Sequence, residues 1–352
     1  NKNVVKEIMI ENLDEKNGLV ITNIGASVFS GLTNMTTIEI PDTITSIGES
    51  AFYQCNTLTS IVIPNSVTTI GSAFSSCESL TSVTIPNSVT SIGSSAFWYC
   101  TKLANITIPN SVTIIGDSAF ANCASLTRIT IPDSVTSIGD HAFSDTKAIS
   151  SIVADKVVNI SSSYTFENSS ATNISLKSIM NIPGGCFQGC NALQELTLNS
   201  AITNIGGSAF NSCQFQKLTP TKFNNLKYLG NNVWNGNSTY AGSIDLKKST
   251  DLTIIYDHTF AACTKISEIK FKPLRILKKF LSFSDFCKKN DYDIVHFHLT
   301  RPYDVMYSLC VKKDTYVIFH SHFANRRDYR LSEKITECLF KFIMRIKGDV
   351  FM

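Results

Sequence analysis

The amino-acid sequence predicts a solenoid: a ladder of parallel strands wound in about eleven coils of 23 residues, followed by a partial α/β unit built on a parallel sheet. Three observations carry this reading. An Ile-Gly pair with a Phe about five residues later recurs along most of the chain, and Pro and Cys recur in phase with it. Beyond residue 270 the period is lost. The charge also changes sign there: residues 1–270 hold 15 Lys and Arg against 19 Asp and Glu, net −4, whereas residues 271–352 hold 16 against 9, net +7. The organisation that follows is a flank (1–17), a repeat region (18–270) and a C-terminal unit (271–352).

The 352 residues are 43% hydrophobic and 17% charged, enough for two domains with a real core. No stretch approaches the 18 consecutive apolar residues that a membrane-spanning helix needs, and the apolar content excludes intrinsic disorder. The start, Asn-Lys-Asn, carries no apolar leader and says nothing of destination.

The repeat anchors are Ile24, Ile47, Ile70, Ile92, Ile115 and Ile138, continued in degraded form at Ile160, Ile182, Ile205, Leu229 and Ile255. One unit runs from Leu80 to Cys100, LTSVTIPNSVTSIGSSAFWYC. Its first part, Leu-x-x-Val/Ile-x-Ile-Pro, reads as a short strand with alternate residues inward, ended by a Pro that cannot donate to a ladder. Pro41, Pro64, Pro86, Pro109 and Pro132 stop it at the same place. Asn-Ser or Asp-Ser then turns the chain, Val-Thr-x-Ile forms a second extended run, and Gly is expected to supply a backbone conformation closed to other residues. Ala-Phe packs inward. Stacked, such units share one core that none could form alone.

Eleven Cys is too few for a disulfide scaffold of this length, and the odd number leaves at least one unpaired within the chain. Seven of them (Cys55, Cys77, Cys100, Cys123, Cys190, Cys213, Cys263) fall three residues after the Phe. A small apolar side chain with a weak S–H donor at a fixed place in each coil is a core ladder, not a redox or metal centre, so no metal or cofactor is expected here.

The run IPNSVTSIGSSAF with Cys three positions on closely resembles the BspA-type leucine-rich repeats, over roughly residues 18–270. The resemblance implies a curved leucine-rich-repeat solenoid of surface or secreted proteins that bind ligands of host or neighbouring cells, with adhesion as a role and no catalytic residues. Between Ser144 and Asn181, and beyond Gln214, the Ile-Gly and Pro marks fade.

The residue between the two inward positions of the first strand faces solvent. This gives Glu39, Val62, Thr84, Thr107, Thr130, Ser175, Thr197, Asp245 and Lys270, a stripe that is mostly Thr. Thr has two readings there: β-propensity on an exposed strand, or contact with a protein or glycan ligand. Trp98 and Tyr99, adjacent aromatics after Phe97, are further ligand candidates, with packing on the outer side of the coil as the alternative.

In the C-terminal unit, Pro273 opens a helical stretch with Leu274, Leu277 and Leu281 on one face, and YDIVHFH (292–298) reads as a buried strand. A helix over 302–311, the strand YVIFH (316–320) and a helix over 335–346 follow. DIVHFH with VIFHSHF resembles the N-terminal domain of the family 4 retaining glycosyltransferases, over about residues 272–352. That resemblance implies a partial Rossmann-like domain, a cytoplasmic setting, and an acceptor-side cleft lined by His298, His320 and His322. His-x-His pairs on two strand ends could chelate a metal, but no Asp, Glu or Cys ligand falls at a matching spacing, and lining a ligand crevice is the simpler role. The dispersed Lys and Arg do not form a nucleic-acid footprint. A nucleotide-sugar would be a partner only if a second domain were supplied. The chain is therefore read as a non-enzymatic recognition module joined to an incomplete transferase domain, with a glycosyltransferase lacking its donor domain as the alternative. On this reading UDP- and GDP-sugars show no saturable binding in calorimetric titration; micromolar binding lost on mutating His298 and His320 would favour the enzyme.

Overall fold

The computed structural model of the protein describes residues 7–10, 13–14, 19–161, 163–252, 256, 258–270, 295–298 and 317–320. Over the repeat region it is a parallel-strand solenoid of about eleven turns, and among the described residues there is no helix.

Each coil contributes two strands. The longer ones, from Thr37–Glu39 through Ser82–Thr84 and Asn105–Thr107 to Glu268–Lys270, stack in parallel along one side. Their central residues, such as Ile61, Val83, Ile106, Ile129 and Leu196, form a buried column. The shorter ones, from Asn23–Ile24 through Ser91–Ile92 to Tyr228–Leu229, stack in a second ladder with Ile24, Ile47, Ile70, Ile92 and their successors inward. Between the two, Pro ends the longer strand, and its carbonyl accepts the N–H of the residue three on, as in Val89 to Pro86 at 3.1 Å. The longer-strand ladder reaches back into the flank: Glu7–Met9 pairs in parallel with Thr37–Glu39, and Leu13–Asp14 forms an antiparallel pair with Leu19–Val20.

The third side of the coil is neither helix nor strand, yet it too is a ladder. Along Ser95–Cys100 the amides alternate. Those of Ser95, Phe97 and Tyr99 donate to the carbonyls of Asp117, Ala119 and Ala121 in the next coil, and those of Trp98 and Cys100 donate three residues back in their own. The alternation bends the chain through two left-handed residues per coil, Ser95 (φ 55°) and Tyr99 (φ 59°), with Ser118, Asn122, His141 and Asp145 at the matching places in the next two coils.

This corrects the expected role of the repeat glycine. Gly48, Gly93, Gly116 and Gly139 are not in the left-handed region; the special conformation falls two residues later, on Ser or His. What the glycine supplies is closeness. Its N–H donates to the preceding coil, Gly116 to Ile92 O at 2.8 Å, and a Cβ on Gly116 would lie 2.6 Å from Ser94 N.

The Phe column runs down the centre. Phe29, Phe52, Phe74, Phe97, Phe120, Phe143, Phe166, Phe187 and Phe210 stack ring on ring with centroids 5.2–5.9 Å apart, and Trp234 then Phe260 continue it. It passes unbroken between Ser144 and Asn181, where Phe166 and the inward Ile160 and Ile174 persist while Pro and Gly do not, and beyond Gln214, where Trp234 and Leu229 take over.

Beside it lies the Cys ladder. Cys55, Cys77, Cys100, Cys123, Cys190 and Cys213 are buried free thiols, and Cys263 is half-buried. Each Sγ donates to the carbonyl of the column aromatic one coil earlier, as Cys100 to Phe74 O at 3.2 Å and Cys123 to Phe97 O at 3.2 Å. Thr146 and Ser169 take the place of Cys in the degraded coils, with their hydroxyls 3.0 Å apart. Cys186 is also buried, at the position that Ala119 and Ala142 occupy in earlier coils.

Burial pushes the Cys55 thiol up to about 11 and Cys123 to about 12, and it raises Cys77 and Cys100 as well. Thiol reagents are therefore expected to spare Cys77, Cys100 and Cys123 in native protein and to label them all once it is denatured; rapid native labelling of the three would remove the ladder from the core. A raised folded pKa means stability that is whole below the unfolded thiol value, about 8.5, and lost as pH rises through the folded values. Thermal melts should accordingly weaken progressively from about pH 8.5 upward.

In the C-terminal segment, Val295–His298 and Val317–His320 pair in parallel, with His298 opposite His320. The helices expected around them and His322 lie outside the described residues.

Candidate binding surface

The ladders are the solenoid's repeating surfaces, and their outward columns are the candidate site. On the longer strands the pattern is outward, inward, outward, which leaves Glu39, Val62, Thr84, Thr107 and Thr130 exposed on successive rungs. Val62 pairs with Thr84, and Thr107 with Thr130, in register. Val153 continues the column. The result is a row of three threonines closed at each end by an exposed valine, 64% exposed at Val62 and 51% at Val153. Arg128 stands beside Thr130 in the adjoining outward column, opposite Asn105.

Further along, the expected stripe breaks. Ser175 keeps the column's register, paired with Val153 and with Thr197, but it is buried. Its hydroxyl donates to Asp155 Oδ1 at 2.5 Å, and Lys177 Nζ reaches Asp155 Oδ2 at 2.6 Å. Burial raises the Asp155 carboxyl pKa, but the bonds from Lys177 and Ser175 and the Lys177 charge outweigh it, and the net shift is downward. Thr197 and Asp245 are half-buried, as is Lys270; Asp245 Oδ1 accepts the N–H of Lys247 at 3.0 Å. Cross-rung ion pairs such as Lys217–Glu195 at 2.5 Å give this end a charged, not a hydroxyl, surface.

The threonines divide by position. Those just before the strands spend their hydroxyls on the solenoid itself: Thr81 donates to Thr59 O at 3.0 Å and Thr127 to Ala104 O at 3.1 Å. Among the described residues, Thr84, Thr107 and Thr130 make no side-chain hydrogen bond and are left to solvent.

Trp98 and Tyr99 are elsewhere, on the third side of the coil. Trp98 is half-buried and Tyr99 is 41% exposed, with their rings 5.6 Å apart. Neighbouring rungs put Ser75, Ser76, Ala121 and Asn122 beside them, so they are an isolated aromatic pair and not part of the threonine row.

The short-strand ladder has a second outward face, which a reading of the longer strand alone misses. Its signal in the sequence is the pair of residues before each anchor Ile: Thr-Ser, Thr-Thr, Thr-Ile, Val-Asn, Met-Asn, Thr-Asn. It ends in two exposed tyrosines, Tyr228 and Tyr256. Among the described residues no cluster of His, Cys, Asp and Glu could hold a metal ion.

The model of the BspA-type leucine-rich repeat region matches six copies, over residues 22–150, 113–241 and 222–298. The chain belongs to the BspA-type leucine-rich repeat family. The last of these matches ends at residue 298. No curated protein matches the chain. Solved structures similar to it include a leucine-rich cell surface protein of Faecalibacterium prausnitzii, 27% identical over 75% of this chain and 87% of that one, with a TM-score of 0.49. A leucine-rich repeat protein of Bacteroides ovatus is 23% identical over 90% of this chain and 92% of that one, with a TM-score of 0.46.

Proposed function

We propose that this BspA-type solenoid is the recognition part of a surface or secreted protein and that it binds a protein ligand on the longer-strand face, between Val62 and Val153. The observation that carries this is the row of outward, uncommitted threonines bounded by exposed valines, with Arg128 beside it. Such a row offers an exposed apolar and hydroxyl surface, and Arg is a residue type enriched where binding energy concentrates. Membership of the repeat family supports the surface or secreted setting, and adhesion is the role we assign to it. Among the described residues no helix is long and apolar enough to cross a membrane.

The test is interferometry of the immobilised chain against a panel of secreted and cell-surface proteins, followed by Val62→Asp and Thr107→Arg variants. Loss of binding in both, with the thermal midpoint unchanged, is expected. Binding that survives both would move the site off this face.

For the C-terminal segment, the parallel register of Val295–His298 with Val317–His320 is what supports a glycosyltransferase-like start. On that reading His298, His320 and His322 line the acceptor side, and sugar transfer requires a donor domain from elsewhere.

A further inference from the structure

Among the described residues, the short-strand face differs from the longer-strand face in charge. From Thr22–Asn23 to Thr203–Asn204, the two outward positions of nine successive rungs carry no charged side chain. The longer-strand face, by contrast, carries Glu39, Arg128, Glu195 and Lys217. The next rung ends the uncharged run with exposed Lys227, followed by Tyr228, 44% exposed, whose ring lies 5.7 Å from that of Tyr256, 42% exposed, at 52°.

We propose that this face binds a linear, neutral polysaccharide anchored on Tyr228 and Tyr256. Three features favour that chemistry. The tyrosine rings are open to solvent, and an apolar ring with a polar tip suits the C–H face and hydroxyl rim of a sugar. Asn181 and Asn204 occupy adjacent rungs in register, and Asn204 is directly paired with Tyr228. An amide offers both an acceptor and two donors, which matches neighbouring sugar hydroxyls. Thr203 Oγ1 donates to Asn181 Oδ1 at 2.9 Å, which commits that oxygen and leaves the Asn181 N–H groups for a ligand, while Asn204 makes no side-chain hydrogen bond among the described residues. Rungs of a parallel ladder repeat at about 4.8 Å, close to the length of one sugar in an extended chain, so successive rungs meet successive units. An anionic glycan or nucleic acid, whose binding rests on several Lys and Arg, would meet Lys227 at the anchor rung and no cation at the outward positions of the nine rungs before it.

This site is separate from the protein-binding face proposed above, and its test is separate too. Native affinity electrophoresis of the full chain would use gels containing hydroxyethyl cellulose, xylan, mannan or β-1,3-glucan. Retardation by at least one of the four is expected, unchanged by high salt. The Tyr228→Ala/Tyr256→Ala variant should weaken it about tenfold or more, and Asn204→Asp should also weaken it, whereas Thr107→Ala should not. Both tyrosines are exposed, so the thermal midpoint serves as the folding control, and Asn204→Asp decides the matter if the double variant melts early. No retardation in any gel, retardation abolished by salt, or equal retardation of wild type and the tyrosine and asparagine variants would overturn the proposal.

Discussion

Phe97→Ala or Phe120→Ala is expected to destabilise the chain by about 3–5 kcal/mol, whereas Thr107→Ala stays within about 0.5 kcal/mol. Both phenylalanines are fully buried, and each stacks on two others: Phe97 on Phe74 at 5.7 Å and on Phe120 at 5.6 Å. Removing one ring leaves a cavity that the neighbours cannot close, since they are held from both sides by their own coils. It also ends two stacked contacts worth about 0.5–1.5 kcal/mol each. Thr107 is exposed and its hydroxyl is uncommitted. Urea titration of the three variants measures the contrast, and equal losses would mean that inward and outward positions have been exchanged.

The second large effect belongs to the repeat glycine, and it should differ between two copies of one motif. A Cβ on Gly116 would lie 2.6 Å from Ser94 N and 2.7 Å from Gly93 C, whereas one on Gly71 would meet nothing within 4 Å. The neighbours of Gly116 are backbone, so no side chain can swing away and the two coils must part. Gly116→Ala should therefore cost at least about 1–3 kcal/mol, while Gly71→Ala should be neutral or stabilise slightly by restricting the unfolded chain. Neither glycine is in the left-handed region, so strain does not enter the comparison. If the need were conformational, both substitutions would destabilise alike.

The period, the inward Ile and Phe columns and the burial of the cysteines were legible because each repeats the same residue at the same place, and stacking demands that. The glycine's purpose was not, because close approach and a left-handed φ call for the same residue type; the left-handed positions are glycine in a few coils, as at Gly185, Gly189 and Gly236, and Ser, Tyr, Asn or His in most others, so they form no repeat-locked signal. The ladder along Ser95–Cys100 was hidden for a related reason: its alternating hydrogen bonds leave no polar and apolar alternation to read. Ser175 keeps its place in the outward column, and what buries it is local: its hydroxyl bonds Asp155, which Lys177 also engages, a contact that strand alternation does not reveal. For the binding faces, the sequence showed which residues could point outward. It did not show which hydroxyls the solenoid uses for itself, as Thr81 and Thr127 do and Thr107 does not.

The central claim is that one stacked core runs through every coil, including those between Ser144 and Asn181 where Pro and Gly are lost. Thr146, Ser169 and Trp234 stand there and beyond for the consensus Cys and Phe, with Phe143, Phe166 and Phe187 still stacked at 5.4–5.9 Å. Native-state hydrogen exchange tests it most directly, because the amides of the Phe column all donate between coils, Phe143 to Thr165 O and Phe166 to Cys186 O at 2.9 Å each. The account predicts continuous protection of these amides from Phe52 to Trp234. Fast exchange confined to Phe143 and Phe166, with protected blocks on either side, would show two separate stacks and contradict it.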